Sequence, residues 1–285
     1  MKYTQHGTAA EFLSRMASIF EQTEAVNGLM YGICLQLQKN ISKYGSRPLF
    51  AIIEDSSGIH LAALMTPPYK LVLCAVGDVS SKCIDTLIHG LLEHSWHVPA
   101  VLAEKQIAEM FAQAWTRFQD CRRREGKAQA FHELRTVQAV KYAPGKIIRA
   151  AADNLDTVQV WAREFHKDCF GDENTDTSSR LVEQYISTGD LFFWFDSMPV
   201  AMAAKARPTP HGESICFVYT PPECRGRGYA TSLVASLSQK ILDSGKQFCC
   251  LATDLANTTS NGIYRKIGYV PVAKVIDIHF DDKLD

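Results

Sequence analysis

The sequence lacks a surplus of charge of either sign. Lys and Arg together number 30 and Asp and Glu 31, a net charge of −1 over 285 residues. A surface devoted to nucleic acid or anionic lipid needs a strong basic excess, so neither partner is expected. No apolar run approaches the ~18 residues of a membrane span. The first residues, Met1 to Gly7, lack the apolar stretch of a secretory signal. The nine cysteines are an odd number, in no spacing that suggests a disulfide framework, and are expected as reduced thiols of a cytoplasmic protein, mostly filling cores. Histidines His89 and His97 flank Glu93 at helical spacing, but without an HExxH pattern the row is expected to be a solvated or core-edge helix face, and no metal is expected. A G-x-S-x-G elbow for serine chemistry is missing too.

Charged residues make up only 21% against 46% hydrophobic, so a packed core is expected rather than disorder. The length suits two domains of ordinary size. The first ~45 residues read as two helices on apolar stripes, Phe12, Met16, Ile19, Phe20 and then Leu29, Ile33, Leu37, Ile41. Strand-like segments follow over residues 48–54, 59–65 and 71–76, joined by the turn signals Asp55-Ser56-Ser57-Gly58 and Thr66-Pro67-Pro68. Helices are expected over 81–93 and 103–119. The basic stretch Arg122–Lys127 reads as a solvated linker, residues 134–140 as a strand, and Ala143-Pro144-Gly145 as the boundary between domains 1–143 and 144–285.

The second half repeats the order: a strand at 147–151, helices at 154–170 and 177–187, then a three-strand meander over 191–195, 200–205 and 214–219. A helix from Gly228 to about Ser244, a strand at 247–253, a short helix at 258–266 and a closing strand pair at 270–280 complete it. The fold class is therefore α/β (α+β), and the shared helices-then-meander order hints at duplication.

One turn carries chemistry. The segment Thr220-Pro221-Pro222-Glu223-Cys224 leads from a strand into Arg225-Gly226-Arg227-Gly228, where a long helix opens. Free N–H groups at a helix start, a favourable dipole, two glycines and two arginines together make an anion site. A plain tight turn with solvated arginines is the bland alternative. A dinucleotide turn fits less well, because Thr231 holds the third glycine position.

Residues Val218–Ala230 resemble motif A of the GNAT superfamily of acyl-CoA-dependent N-acyltransferases, Gln/Arg-x-x-Gly-x-Gly/Ala, with Arg225, Gly228 and Ala230 at the defining positions. Asn257 and the run Ile263-Tyr264-Arg265-Lys266-Ile267-Gly268-Tyr269 are similar to the family's motif B. The resemblance covers about residues 146–280. It implies two GNAT-like domains in tandem, each a mixed, mostly antiparallel sheet flanked by helices. Gly77–Lys82 offers one glycine and an acid in place of a phosphate turn, so the first domain is expected to be degenerate and non-catalytic.

What the resemblance implies about chemistry is transfer of an acetyl or other acyl group from acetyl-CoA or a related acyl-CoA to an amine, by direct attack. Phe217, Val218 and Tyr219 would pair with the pantetheine arm. Arg225, Gly226, Arg227, Gly228, Tyr229 and Ala230 would hold the pyrophosphate. Asn257 is either a pantetheine partner or a helix cap. Tyr264 takes the general-acid position beside the cofactor sulfur. The base stays open: Glu213 is a weak candidate, with His211, Asp196 and His166 behind it. A small-molecule amine is the default acceptor, a monomer or homodimer the expected state, and a CoA-binding sensor without turnover the rival function.

Overall fold

The computed structural model describes residues 1–45, 47–171 and 175–281. In chain order the elements are β1 (Lys2–His6), α1 (Ala9–Gln22), α2 (Glu24–Lys39), β2 (Leu49–Asp55), β3 (Gly58–Met65), β4 (Leu71–Ala75), α3 (Ser81–Glu93), β5 (Ala100–Glu104), α4 (Lys105–Gln119) and β6 (Arg122–Leu134). They continue as β7 (Lys146–Arg149), α5 (Leu155–Phe170), α6 (Thr175–Ser187), β8 (Leu191–Asp196), β9 (Met198–Ala206), β10 (Gly212–Tyr219), α7 (Tyr229–Asp243), β11 (Phe248–Asp254), α8 (Thr258–Ile267) and β12 (Val270–Asp281).

The chain divides into two compact units. One holds residues up to Phe131, Asp254–Ala256 and the chain from Val272 onward; the other holds His132–Thr253 and Asn257–Pro271. The expected cut at residue 143 differs in two ways. Residues 122–127, expected as a linker, lie in strand β6, and the turn residues Ala143–Gly145 sit inside the second unit. The last strand, read as a pair closing the second domain, is instead one strand whose Val275–His279 pair antiparallel with Glu104–Ala100 of the first unit.

In the first unit the strands run β1-β2-β3-β4-β5-β12-β6. Neighbours β1 to β4 pair antiparallel, whereas β4 and β5 are parallel at Leu71↔Val101 and Val72↔Leu102. Phe12, Met16, Phe20 and Tyr31 of α1 and α2 pack with Phe50, Ile52, Ala62 and Leu64 on one sheet face. Leu87, Ile88 and Leu91 of α3 and Phe111 and Trp115 of α4 pack with Leu49, Ala51, Leu61 and Ala63 on the other. The alternation along β2 and β3 is what a sheet covered on both faces requires. Strands β1 and β5 were invisible to periodicity, being five residues each and abutting helices. His97 lies beyond the end of α3, so the His89–Glu93–His97 row is not one helix face.

In the second unit the order is β11-β10-β9-β8-β7. Strands β7 to β10 form an antiparallel meander, and β10 pairs in parallel with β11 at Gly212↔Phe248, Glu213↔Cys249 and Ser214↔Cys250. Helix α7 puts Leu233, Val234 and Leu237 against Ala201, Ala203 and Ile215. Helices α5 and α6 put Val158, Trp161 and Val182 against Phe193, Met202 and Ala204. The two units therefore share one topology, two helices followed by a meander, a helix and a parallel strand. Residues 135–145, in part expected as a strand, form instead an irregular strap within the second unit. Its Ala143 N–H donates to Ser232 Oγ at 2.8 Å, and the Trp194 indole donates to Pro144 O at 2.8 Å.

Candidate active site

The site is built on a defect in β10. Between Cys216↔Ala204 and Tyr219↔Met202 the ladder with β9 gains one residue, a β-bulge, and Phe217 takes a left-handed φ of 52°. Left-handed backbone at a bulky residue is costly and persists where packing holds it. Here the Phe217 ring is held against Phe165 of α5 at 5.0 Å and Tyr185 of α6 at 5.9 Å. On its other side β10 leaves β11 after Ser214, although both strands run on. The backbone groups of Phe217, Val218 and Tyr219 thus lie where an extended arm can be added as a further strand.

Beyond the bulge the chain makes a short 3₁₀ turn over Pro222–Cys224 and enters α7 through Gly226 (φ 78°) and Gly228 (φ 82°). Both are left-handed, which explains glycine at each. A Cβ at Gly226 would meet nothing within 4 Å, and one at Gly228 only Ala143 Cβ at 3.9 Å, so the space over the turn is open. Gly228 supplies no side chain to cap α7, leaving the first N–H groups of the helix available for an anion. Nearby, Thr220 Oγ1 is buried with no hydrogen-bond partner. Open glycine backbone and an orphaned hydroxyl fit a polar ligand such as the pyrophosphate and pantetheine of an acyl-CoA.

The arginines are less free than their sequence position suggests. Arg225 donates to Asp168 Oδ2 of α5 at 2.6 Å and to Thr220 O at 2.9 Å, with its guanidinium 5.7 Å from the Tyr219 ring centre. Tyr219 in turn donates to Glu164 Oε2 at 2.8 Å. Burial, reinforced by the Glu164 carboxylate, pushes the Tyr219 phenol well above its usual value. Glu164 and Asp168, one helical turn apart on α5, therefore grip both ends of the turn's approach, a pairing that sequence reading missed. The i, i+4 acidic spacing was the available signal. Tyr229 donates to Asp196 Oδ2 at 2.7 Å; this uses the Asp196 carboxylate, one of the candidate bases, as a brace for the start of α7. Ala230 follows within the first turn of that helix.

Tyr264, on α8, is buried, with its ring edge-to-face against Tyr269 at 5.9 Å. Burial raises its phenol well above the ordinary value, with the Cys169 and Cys216 thiols adding to the effect; its side chain packs with Leu233 of α7, Ile267 and Tyr269. Asn257 is the N-cap of α8, its Oδ1 accepting from Ser260 N at 3.0 Å. The cap occupies one acceptor position of the side chain and leaves the amide nitrogen as a donor.

Glu213 is not brought to this group. Its neighbour Ile215 faces α7, while Cys216 faces α5 and α6, so alternation puts Glu213 on the α7 side of the sheet. Its carboxylate lies 3.5 Å from Lys205 Nζ, which also meets Asp190 at 3.3 Å. Burial raises the Glu213 carboxyl and Lys205 pulls it back down.

In the first unit the equivalent of the phosphate turn is closed. Ser80 caps α3 with its own hydroxyl, which accepts from Cys83 N at 3.3 Å. Among the described residues no three His, Cys, Asp or Glu side chains are grouped as a metal site, and no helix is long and apolar enough to cross a membrane.

Residues 194–275 match the model of the FR47-like protein family. Several solved structures share the fold over nearly the full length. A Drosophila protein superposes with a TM-score of 0.71 at 10% identity, covering 98% of each chain. A GCN5-related N-acetyltransferase from Sphaerobacter thermophilus gives 0.60 at 13% identity, covering 98% of this chain and 95% of its own. A tandem GNAT protein from the clavulanic acid biosynthesis pathway gives 0.57 at 11% identity, covering 100% and 99%. No curated protein sequence matches the chain.

Proposed function

For a chain that has the tandem GNAT fold and an FR47-like match over residues 194–275, we propose an N-acyltransferase that moves an acyl group from acyl-CoA to an amine in its second unit. The observation that carries this reading is the continuity of one path. A bulged strand splayed from its parallel neighbour runs into a left-handed glycine turn at an uncapped helix start, with Tyr264 buried on the short helix α8 that follows β11.

Bound acyl-CoA would supply the acyl group as a thioester and leave as the thiol. The N–H groups of Gly228, Tyr229 and Ala230 would bind its phosphates, and the backbone of Phe217–Tyr219 its pantetheine arm. Asn257 contributes its free amide donor and Arg227 its charge, while Arg225 acts through the turn it holds in shape. A main-chain N–H at the bulge polarises the carbonyl. The amine nitrogen forms the new N–C bond, the C–S bond breaks, and the proton lost by the amine passes to solvent. Tyr264, kept neutral by burial, holds the proton that the departing sulfur takes.

A CoA-binding protein without turnover is the second reading, favoured by the tie between Glu213 and Lys205, which takes the weak base candidate out of the site. Nine cysteines outside any disulfide suit a reducing compartment such as the cytoplasm. The test is a thermal melt with CoA and with acetyl-CoA, followed by a thiol-release assay over a panel of small amines. Stabilisation with release supports the transferase, stabilisation with no release over the whole panel supports the sensor, and no stabilisation removes both.

A further inference from the structure

The strap over residues 135–145 packs Val137, Val140 and Ala143 against the core of the second unit and leaves one large side chain outside. Tyr142 is 49% exposed, and among the described residues of this unit no other aromatic side chain is exposed to a comparable degree. A ring left in water forgoes the stabilisation of burial, and a mobile one would at least keep its rotamer freedom. Tyr142 has neither. Its ring lies close to parallel with the indole of Trp194, 6.3 Å between centres and 19° between planes. Trp194 is itself buried and is fixed by its indole N–H, which donates to Pro144 O at 2.8 Å. The phenol is therefore held as an oriented flat surface with one side against Trp194.

Two sets of contacts place that ring at the phosphate turn. On the strap, Ala143 is the next residue, one Cα step of about 3.8 Å away. A Cβ built at Gly228 would come within 4 Å of nothing but the Ala143 Cβ, at 3.9 Å. The Ala143 N–H donates to Ser232 Oγ, and that hydroxyl donates to Gly228 O at 3.0 Å. On β8, two residues beyond Trp194, Asp196 accepts from the hydroxyl of Tyr229, the first residue of α7, at 2.7 Å. The indole under Tyr142 and the start of α7 are thus tied to the same end of one strand, and the strap walls the open space over Gly228.

We propose that Tyr142 is the stacking platform for the adenine ring of acyl-CoA, so that the strap forms the nucleotide side of the cofactor site. This deepens the cofactor reading above and rests on it. The pantetheine arm leaves the phosphates along β10, so the adenosine at their other end must leave on another side, and the strap is what the structure sets beside the turn. A purine is flat with an apolar face, and an aromatic ring already held in place takes that face at a smaller ordering cost than a mobile one.

Titration calorimetry on the full-length chain, with CoA and with 4′-phosphopantetheine, which lacks the nucleoside, tests this in the wild type, Tyr142→Phe and Tyr142→Leu. A base–aromatic stack changes affinity roughly 5- to 150-fold. Tyr142→Phe should hold CoA within about twofold of wild type, and Tyr142→Leu should weaken it at least about fivefold. Phosphopantetheine binding should be unchanged in both, and both should melt without ligand as the wild type does. Wild-type CoA affinity in Tyr142→Leu, or a loss shared equally by phosphopantetheine, overturns the platform and leaves the cofactor reading standing. Where phosphopantetheine is too weak to titrate, the two variants decide alone: CoA retained in Tyr142→Phe and lost in Tyr142→Leu supports the platform, and any other pattern overturns it. A wild type that binds no CoA overturns this subsite and the cofactor reading together.

Discussion

The Arg225 guanidinium is tied to the Asp168 carboxylate at 2.6 Å, so the first cation of the phosphate turn is engaged by helix α5. Both side chains are about half exposed, 49% and 51%, and an exposed pair of this kind contributes at most about 1 kcal/mol to stability. The tie acts on the turn's shape instead, with the ring of Tyr219 beneath the guanidinium and Glu164 on the Tyr219 hydroxyl. Asp168→Asn is expected to move the melting temperature by only a few degrees and to weaken CoA binding roughly three- to tenfold, the size of one ordinary hydrogen bond, about 0.5–1.5 kcal/mol. Titration calorimetry with CoA checks this. Tighter binding would show that Asp168 competes with the pyrophosphate for Arg225.

Gly228 is the position where the turn can be blocked without disturbing the core. A side chain there meets only Ala143 Cβ at 3.9 Å, so the folding penalty is the left-handed backbone itself, about 1 kcal/mol for Ala and more for a β-branched residue. Gly228→Val should therefore still melt cooperatively but lose the CoA-dependent shift. In the wild type that shift should reach about 2.7 kcal/mol at a hundredfold excess over Kd. A Gly228→Val protein stabilised normally by CoA would remove the turn from the cofactor site.

How much of this was legible in sequence follows from where the signals are local. Arg225, Gly228, Ala230, Asn257 and Tyr264 stood out because a helix start and a short helix impose fixed spacings within a few residues. The bulge at Phe217 depends on the partner strand β9 and on rings from two helices, and the ties from Glu164 and Asp168 on contacts across more than fifty positions, which no local window contains. Strand β12 was misread for a related reason: its period-2 pattern was clear, but its partner lies in the other half of the sequence. Two of the base candidates have side-chain partners that the sequence did not reveal, Lys205 for Glu213 and Tyr229 for Asp196. The closed turn of the first unit was half legible. Gly77–Lys82 lacks the glycine pattern, and the Ser80 cap then supplies the physical reason that no anion is needed there.

Three buried phenols of the second unit, Tyr219, Tyr264 and Tyr269, are pushed well above the ordinary tyrosine value, chiefly by burial. The folded chain then holds these protons more tightly than the unfolded chain does. Their contribution to stability is whole below about pH 10, the unfolded value, and is lost as pH rises beyond it, by at most about 1.4 kcal/mol per pH unit for each group. Urea melts at pH 8, 9.5 and 11 should show a flat region and then a fall, with a shallower fall in Tyr264→Phe. An alkaline slope that is identical in the variant would mean that Tyr264 is already solvated in the folded protein.

Tyr264→Phe also separates a transferase from a sensor. The ring makes an edge-to-face contact with Tyr269 at 5.9 Å, and phenylalanine keeps it, so the fold and the packing around α8 should be preserved. What disappears is a hydroxyl that burial keeps protonated across the working pH range. General-acid assistance is worth about 10²–10⁴-fold in rate, roughly 3 to 5 kcal/mol of barrier. CoA affinity should change far less, since a neutral hydrogen bond contributes roughly 0.5–1.5 kcal/mol. The expected signature is a fall in kcat of at least a hundredfold with CoA binding altered less than about tenfold. It is read by thiol release and by calorimetry on the same preparation. Turnover within threefold of wild type would mean that water supplies the proton, and equal losses in rate and binding would make Tyr264 a wall of the cofactor site. Only the split between the two places its hydroxyl in the chemical step.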